Sequence, residues 1–290
     1  MNEPRFRPPA EAHSLILQVD RGCPYNRCSF CAMYRDVSYL KRCMDEVEGL
    51  INDAAKREPT ARRIFLADGD VMRRPFVELE QILTVLNRRF PRLARVSLYA
   101  NGSSIASKTD AELKALRELK LHTLYLGMES GDAEVLRNCR KGETVDRMVE
   151  AGTRAGGAGL RMSVMVLLGL GGQAQTEAHA RHTAEALNRM QPRLLSALRV
   201  TPIPGTELHD AVEDGTFELL TEHELIQELR DMIAALELKS TVFRANHSSN
   251  IIPIEARLPR DKAELLNQLD ALLASTRLDR NSPGPMSLWL

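Results

Sequence analysis

The feature that most limits what this chain can fold into is a repeated alternation of short apolar runs with longer amphipathic segments. The apolar runs are rich in β-forming residues and predict strands, while the segments between them have the spacing of helices. Six strands are predicted, at residues 13–20, 62–70, 94–102, 122–130, 160–172 and 194–202. Consecutive parallel strands need a crossover of about a dozen residues or more, which these segments provide. The sequence therefore predicts an α/β fold with a parallel sheet.

The number of βα units indicates the architecture of that sheet. Six units fall short of the eight that close a TIM barrel, so we expect a partial (β/α)6 TIM-like barrel over residues 13–208. A doubly wound open sheet is the alternative. Residues 209–290 are expected to form a helical and loop extension that covers the barrel mouth. Within the extension the sequence predicts a helix at 221–238, a loop at 241–259, a helix near 261–275 and a mobile tail at 277–290.

Composition and charge narrow the classes of function. The chain has 39 Lys and Arg and 39 Asp and Glu, so no net charge attracts nucleic acid or an anionic membrane, and we expect neither as a partner. No apolar run reaches the roughly 18 residues that a membrane-spanning helix needs. The N-terminal stretch also lacks the apolar segment of a secretory signal. The five cysteines are odd in number and unevenly spaced, which argues against a disulfide framework and favours a reducing cytoplasm.

Three of those cysteines lie close together after the first predicted strand. The stretch RGCPYNRCSFCAMYR, residues 21–35, contains Cys23, Cys28 and Cys31 in a C-x4-C-x2-C pattern. Thiolates bind soft or borderline metals, and a cysteine cluster without histidine suits zinc or an iron–sulfur centre. The sequence therefore predicts a metal centre whose ligands are Cys23, Cys28 and Cys31.

Two non-catalytic interpretations of the cysteine loop compete with a catalytic one. A structural zinc site needs four closed ligands, and no second cysteine or histidine pair follows downstream. The same spacing is found in plant-type [2Fe-2S] ferredoxins, which would require Cys43 or Cys139 as a fourth ligand. Such ferredoxins are small and have no series of βα units. Cys43, at a predicted helix start, and Cys139 are more simply interpreted as packing residues.

The loop and its position in the chain resemble the radical S-adenosylmethionine (radical SAM) superfamily. The usual loop of that family is C-x3-C-x-aromatic-C; this sequence has one more residue in the first gap, and Phe30 occupies the aromatic position before Cys31. The resemblance continues through the predicted strands to about residue 208. It implies that the three cysteines bind a [4Fe-4S] cluster and that S-adenosylmethionine occupies the fourth iron.

The resemblance also implies an activity. Reduction of the cluster cleaves S-adenosylmethionine to methionine and a 5′-deoxyadenosyl radical, which abstracts hydrogen from a substrate. We therefore expect an enzyme of the oxidoreductase or transferase type that acts on a small molecule. A flavodoxin- or ferredoxin-like protein is expected to supply the electron. The alternative remains a non-catalytic iron–sulfur or structural zinc protein.

Residues at the end of the second predicted strand resemble the family's site for the methionine amino group. These residues are Asp68, Gly69 and Asp70. An ammonium group needs acceptors, which strand-end carbonyls and a carboxylate supply. The alternative interpretation of residues 68–70 is a polar turn that terminates the strand.

The remaining candidate contacts follow the later strands. By resemblance, Glu129 and Ser130 bind the ribose, and Asn101, at the end of the third strand, contributes to the same face. By resemblance too, Arg154 pairs with the methionine carboxylate, and Gly169 lets adenine approach the backbone. The alternatives are that Glu129 caps the short helix that begins near residue 132, that Arg154 is an exposed helical arginine, and that Gly169 lies in a plain turn. His247 and Asn250 are candidate substrate contacts, although a solvent-facing loop is the more common situation. No catalytic side chain is assigned.

Overall fold

The computed structural model describes residues 6–286. Its strands are β1 (Leu15–Gln18), β2 (Asp20–Arg21), β3 (Leu40–Lys41), β4 (Arg63–Ala67), β5 (Arg95–Tyr99), β6 (Leu121–Glu129), β7 (Arg161–Leu168), β8 (Leu194–Arg199), β9 (Thr241–Arg244) and β10 (Glu255–Leu258). Its α-helices are α1 (Met44–Arg57), α2 (Phe76–Arg89), α3 (Gly102–Ala106), α4 (Asp110–Glu118), α5 (Ala133–Asn138), α6 (Val145–Gly157), α7 (Gly172–Met190), α8 (Glu207–Glu213), α9 (Glu222–Ala235) and α10 (Lys262–Ala274). Each of the six predicted strands is present. No helix within the described range is both long and apolar enough to cross a membrane.

The chain divides into two compact units. The first comprises the chain up to Asn26 together with Met33–Leu126 and Glu150–Met162. The second comprises Arg27–Ala32, Gly127–Val149 and the chain from Ser163 onward. The second unit contains residues from both sides of the boundary expected near residue 208, so that boundary stays a prediction.

The first unit has a parallel sheet with the strand order β1, β4, β5, β6. Its outer helices follow the predicted periodicity: Val47, Ile51 and Ala54 of α1 are buried at helical spacing, as are Leu79, Ile82 and Leu86 of α2. These apolar stripes supply the core of the unit. Because the strands are parallel, their carboxyl ends lie at one edge of the sheet, where polar residues 68–70 and 101 follow β4 and β5.

The second unit has a sheet in which β7, β8 and β9 are parallel and β10 is antiparallel to β9. The prediction of a loop at 241–259 was wrong, because β9 and β10 lie within it. Each strand has only four residues, and in β9 the adjacent apolar residues Val242 and Phe243 break the alternation of polar and apolar residues that would indicate a strand. The α/β class with mostly parallel strands is confirmed.

One other expectation needs correction. The strand predicted at 160–172 ends at Leu168, because Gly169 has a positive φ and Gly172 begins α7. The mobility expected of the tail at 277–290 stays a prediction, and part of that tail is hydrogen-bonded. Arg199 donates to the carbonyls of Pro283 and Pro285, and the Glu222 amide donates to the Ser282 carbonyl at 3.0 Å. Residues 287–290 of that tail lie outside the described residues.

Candidate functional site

A short hairpin closes the base of the cysteine loop in the first unit. Strands β2 and β3 pair Asp20 with Lys41 and Arg21 with Leu40. Fully buried Arg74 reinforces this closure: its Nη2 donates to Asp20 Oδ1 at 2.7 Å and to the Arg42 carbonyl at 2.8 Å. Burial raises the pKa of Asp20, and the Arg74 guanidinium opposes that rise. Arg74 therefore binds both the entry and the exit of the loop, a role that sequence analysis missed.

Cys23 lies directly against the end of strand β4. A Cβ added at Gly69 would be 2.9 Å from the Cys23 Cβ and 3.3 Å from its Sγ, so only glycine fits at this position. The Gly69 amide donates to the Gly22 carbonyl at 3.2 Å. Asp68 Oδ2 accepts hydrogen bonds from the Gly22 amide at 3.1 Å and from Gln18 Nε2 at 2.7 Å. Asp68 and Gly69 thus hold the loop residue that precedes the first cysteine.

Asp70 and Asn101, predicted separately, meet at the ends of β4 and β5. Asp70 Oδ2 accepts a hydrogen bond from Asn101 Nδ2 at 3.2 Å, and Oδ1 accepts one from Ser104 Oγ at 2.8 Å. Burial raises the pKa of Asp70 to about 6, although these hydrogen bonds oppose the rise. Ser104 was missed by sequence analysis; the available signal was its position three residues after Asn101, in the capping box that begins α3.

Arg154 is bound to another part of the first unit. Its Nε donates to Asp110 Oδ1 at 2.8 Å and its Nη2 donates to the Lys108 carbonyl at 2.6 Å, which ties α6 to the start of α4. The Arg154 side chain is 27% exposed, so it is half-buried and not the exposed arginine of the alternative interpretation. The predicted pairing with the methionine carboxylate stays a prediction.

The second unit holds the other two loop cysteines, Cys28 and Cys31. The Cys31 amide donates to the Cys28 carbonyl at 3.2 Å, which forms a turn. Between them, Ser29 is fixed on both sides: its amide donates to the Cys139 carbonyl at 3.0 Å, and its carbonyl accepts from the Leu208 amide at 3.1 Å. Burial raises the pKa of the Cys28 thiol to about 12.

Phe30 and Cys139 belong to an apolar cluster beside this turn. Phe30 packs against the cluster, whose buried members are Val135, Cys139, Leu170, Val200 and Leu208. The Cys139 thiol donates to the Leu136 carbonyl at 3.5 Å, and burial raises its pKa to about 12. Cys43 is exposed and caps the start of α1. Cys139 is therefore placed as the packing interpretation expects, whereas exposed Cys43 is a helix cap and not a packing residue.

Glu129 forms a buried ion pair at the end of β6. Its Oε1 lies 3.1 Å from Lys141 Nζ, and a Cβ at Gly127 would overlap this oxygen. Burial alone would lower the pKa of Lys141, but the Glu129 carboxylate and neighbouring thiols raise it. The alternative that Glu129 caps the next helix is wrong, because Asp132 caps α5 through the amides of Glu134 and Val135. Sequence analysis missed Lys141, since a lone lysine in a polar segment is ordinarily exposed.

Ser130 and Gly169 face buried polar partners within the second unit. Ser130 Oγ is 2.8 Å from His179 Nδ1. Gly169 has a φ of +78°, and its amide donates to Glu228 Oε1 at 2.7 Å. His179 and Glu228 were not candidates in the sequence, because each is surrounded there by ordinary helical residues.

His247 and Asn250 lie in the loop between β9 and β10. The Ser249 amide donates to His247 Nδ1 at 3.1 Å, so the neutral ring carries its proton on Nε2. Burial lowers the pKa of His247, which favours that neutral ring. Asn250 Nδ2 donates to the Ala197 carbonyl of β8 at 2.9 Å. The loop is therefore ordered by its own contacts, and His247 presents a hydrogen-bond donor.

The three loop cysteines do not all belong to one unit: Cys23 is in the first, whereas Cys28 and Cys31 are in the second. Across residues 6–286, no group of three or more His, Cys, Asp or Glu side chains is arranged to hold a metal ion. The ligand set proposed from the sequence accordingly stays a prediction.

Comparison with known proteins identifies the family to which this chain belongs. The model described as "Radical SAM superfamily" matches residues 17–187, more than half of the 290-residue chain. Among solved structures, the chain is similar to methylornithine synthase, with 18% identity, a TM-score of 0.53, and coverage of 78% of this chain and 63% of that one. It is also similar to coproporphyrinogen III oxidase from Escherichia coli, with 16% identity, a TM-score of 0.57, and coverage of 76% and 51%.

A third similar structure is the FeFe-hydrogenase maturase HydG from Carboxydothermus hydrogenoformans, with 21% identity, a TM-score of 0.52, and coverage of 88% of this chain and 56% of that one. At these identities the similarity shows a shared fold and does not show a shared substrate. The chain spans between 51% and 63% of the length of these three proteins. The search of curated proteins found no match.

Proposed function

Because the chain belongs to the radical SAM superfamily, we propose that it is a radical SAM enzyme whose cluster is bound by Cys23, Cys28 and Cys31 and whose substrate is a small molecule. The superfamily uses a [4Fe-4S] cluster and S-adenosylmethionine. When bound, this pair supplies one-electron cleavage of S-adenosylmethionine and a carbon radical that abstracts hydrogen. The remaining functions belong to the protein: binding, orientation and exclusion of water.

The observation that carries the proposal is the contact between Cys23 and Gly69. Substitution of any side chain at Gly69 would displace Cys23, so the end of β4 is shaped around the first cysteine. Arg74 holds the base of the loop and Asp68 holds Gly22, which fixes the backbone on both sides of this contact. Three cysteine thiols within nine residues are the type of ligand that an iron–sulfur centre requires.

The methionine end of S-adenosylmethionine is proposed to bind at the ends of β4 and β5. Asp70 is already held in place by Asn101 and Ser104. With a pKa of about 6, its carboxylate is charged at neutral pH and attracts the ammonium group. Gly69 offers its backbone to the same group. Arg154 is proposed to pair with the methionine carboxylate, for which its guanidinium would have to leave Asp110 or the Lys108 carbonyl.

The nucleoside end is proposed to bind at the ends of β6 and β7. Lys141 binds one oxygen of Glu129, which orients the carboxylate and leaves its second oxygen as the acceptor for the ribose. Ser130 and Gly169 shape the backbone there, and Phe30 closes the cysteine turn against the apolar cluster.

The substrate and the electron donor are the partners of this proposal. His247 and Asn250 are proposed to contact a polar group of the substrate. The Ser249 amide keeps the proton of the neutral His247 ring on Nε2, which can therefore donate to the substrate, and Asn250 is held nearby in the same loop by the Ala197 carbonyl. A flavodoxin- or ferredoxin-like protein is proposed as the reductant. A reducing, cytoplasmic environment is proposed, since five cysteines of uneven spacing suit it.

One experiment separates this function from the non-catalytic alternatives. The protein is reconstituted anaerobically with iron and sulfide, then reduced in the presence of S-adenosylmethionine. We expect about four irons per chain and release of 5′-deoxyadenosine. The C23A/C28A/C31A variant should lose both, whereas the matched C43A/C139A variant should retain both. One tightly bound zinc, or a two-iron spectrum that depends on Cys139, would overturn the proposal.

A further inference from the structure

A buried polar network lies beneath the ends of β6 and β7 in the second unit. Its centre is Glu228 of α9, whose side chain is 0% exposed. Glu228 Oε1 accepts from the Gly169 amide and Oε2 accepts from Thr176 Oγ1, each at 2.7 Å. A buried carboxylate is costly unless it is well hydrogen-bonded, so a network of this kind is unusual in an apolar core.

His179 of α7 connects the same network to Ser130, and its tautomer follows from the contacts. His179 Nε2 lies 3.1 Å from the Leu167 carbonyl, which can only accept, so Nε2 carries a ring proton and donates it there. In the neutral ring Nδ1 is then the acceptor, and the Ser130 hydroxyl donates to it at 2.8 Å while its oxygen accepts from the Asp132 amide at 2.9 Å. Glu228 Oε1 lies 3.8 Å from His179 Nε2.

The two residues that the network fixes, Gly169 and Ser130, lie at or beside left-handed backbone conformations. Gly169 has a φ of +78°, and Glu129, immediately before Ser130, has a φ of +63°. A left-handed conformation at a residue other than glycine persists only where surrounding contacts fix it. Helix α9 also packs on the glycine, because a Cβ at Gly169 would be 3.3 Å from Leu225 Cδ1.

We propose that Glu228 and His179 are positioning residues for the nucleoside half of the S-adenosylmethionine site. Glu228 fixes the Gly169 backbone, and His179 fixes the turn that contains Glu129 and Ser130. This inference rests on the proposed function. It gives helix α9, which lies in the predicted C-terminal extension, a part in cofactor binding that does not involve contact with the cofactor.

The test measures binding of S-adenosylhomocysteine, which is not cleaved, to the reconstituted protein by titration calorimetry. Glu228→Asp keeps the charge but withdraws the carboxylate from Gly169, and we expect the Kd to rise about tenfold. Glu228→Gln keeps an acceptor oxygen at full reach and should stay within about threefold of the parent protein. Asp231→Asn, on the exposed side of the same helix, is the matched control and should bind normally.

Iron content and melting temperature are recorded for every variant. A purely structural role would lower the melting temperature of Glu228→Asp while its Kd in the folded state remained that of the parent, and that result overturns the proposal. His179→Ala is the second variant; a Kd equal to that of the parent would remove His179 from it. If the parent protein binds no S-adenosylhomocysteine, the proposed function itself fails, which is a different outcome from equal binding by parent and variants.

Discussion

Replacing Gly69 with alanine tests whether the end of β4 is shaped around the first cysteine. The added Cβ would be 2.9 Å from the Cys23 Cβ and 3.0 Å from its Cα. Carbon atoms are in favourable contact at about 3.5–4.0 Å, so Cys23 would have to move by roughly 0.5–1 Å. The obstructing atoms are the Cys23 Cα and Cβ, which cannot rotate away as the end of a flexible side chain can.

Overpacking of this kind costs about 1–3 kcal/mol, which is added to the displacement of a metal ligand. We therefore expect Gly69→Ala to fold with a lower melting temperature and to retain less than about half of the parent iron. The assay is anaerobic reconstitution followed by iron and sulfide determination and a thermal melt.

The matched control is Gly49→Ala. Gly49 lies within α1, and an added Cβ there meets nothing within 4 Å, so this variant should be stabilised by about 0.4–1 kcal/mol and bind iron normally. Full iron content and an unchanged cluster spectrum in Gly69→Ala would refute the reasoning from the Gly69 contact.

Three other predictions follow from individual side chains. Burial raises the pKa of Asp70 to about 6, so S-adenosylhomocysteine should bind more weakly as the pH falls through 6 and the carboxylate loses its charge. Asp70→Asn should abolish this pH dependence when binding is measured by calorimetry over a series of pH values. A flat profile in the parent protein would contradict the role of Asp70. Replacing Arg74 with methionine leaves the buried Asp20 carboxylate without the Arg74 cation, and we expect the free energy of unfolding to fall by roughly 3–5 kcal/mol in a denaturant titration. A fall of less than about 1 kcal/mol would show that this ion pair contributes little to stability. Cys139→Ala should keep the parent iron content, because the Cys139 thiol is neutral and bonded to a carbonyl; loss of iron would make it a ligand.

The sequence predicted six strands correctly because each of them is a compact local pattern, whereas β9 and β10 were missed. For example, residues 62–70 contain β4, Arg63–Ala67, and the three polar residues after it end the strand, as a polar turn should. The capping boxes at Thr109 and Thr221 likewise mark α4 and α9, since both signals lie within four residues.

The supporting contacts of the site could not be predicted because they join distant parts of the chain. Glu228 meets Gly169 across 59 residues, and Arg74 meets Asp20 across 54. No local spacing distinguishes these side chains from exposed helical or loop residues, and only folding makes their burial apparent. The ion pair between Arg154 and Asp110 could not be predicted for the same reason, because the two residues are 44 positions apart in the chain.

The most direct test of the central claim is the Mössbauer spectrum of protein reconstituted with iron-57, recorded with and without S-adenosylmethionine. A cluster held by Cys23, Cys28 and Cys31 leaves a single iron without a cysteine ligand. We therefore predict a [4Fe-4S] spectrum in which one iron site alone shifts when S-adenosylmethionine is added. A four-iron spectrum that S-adenosylmethionine leaves unchanged, or a two-iron spectrum, would contradict the account.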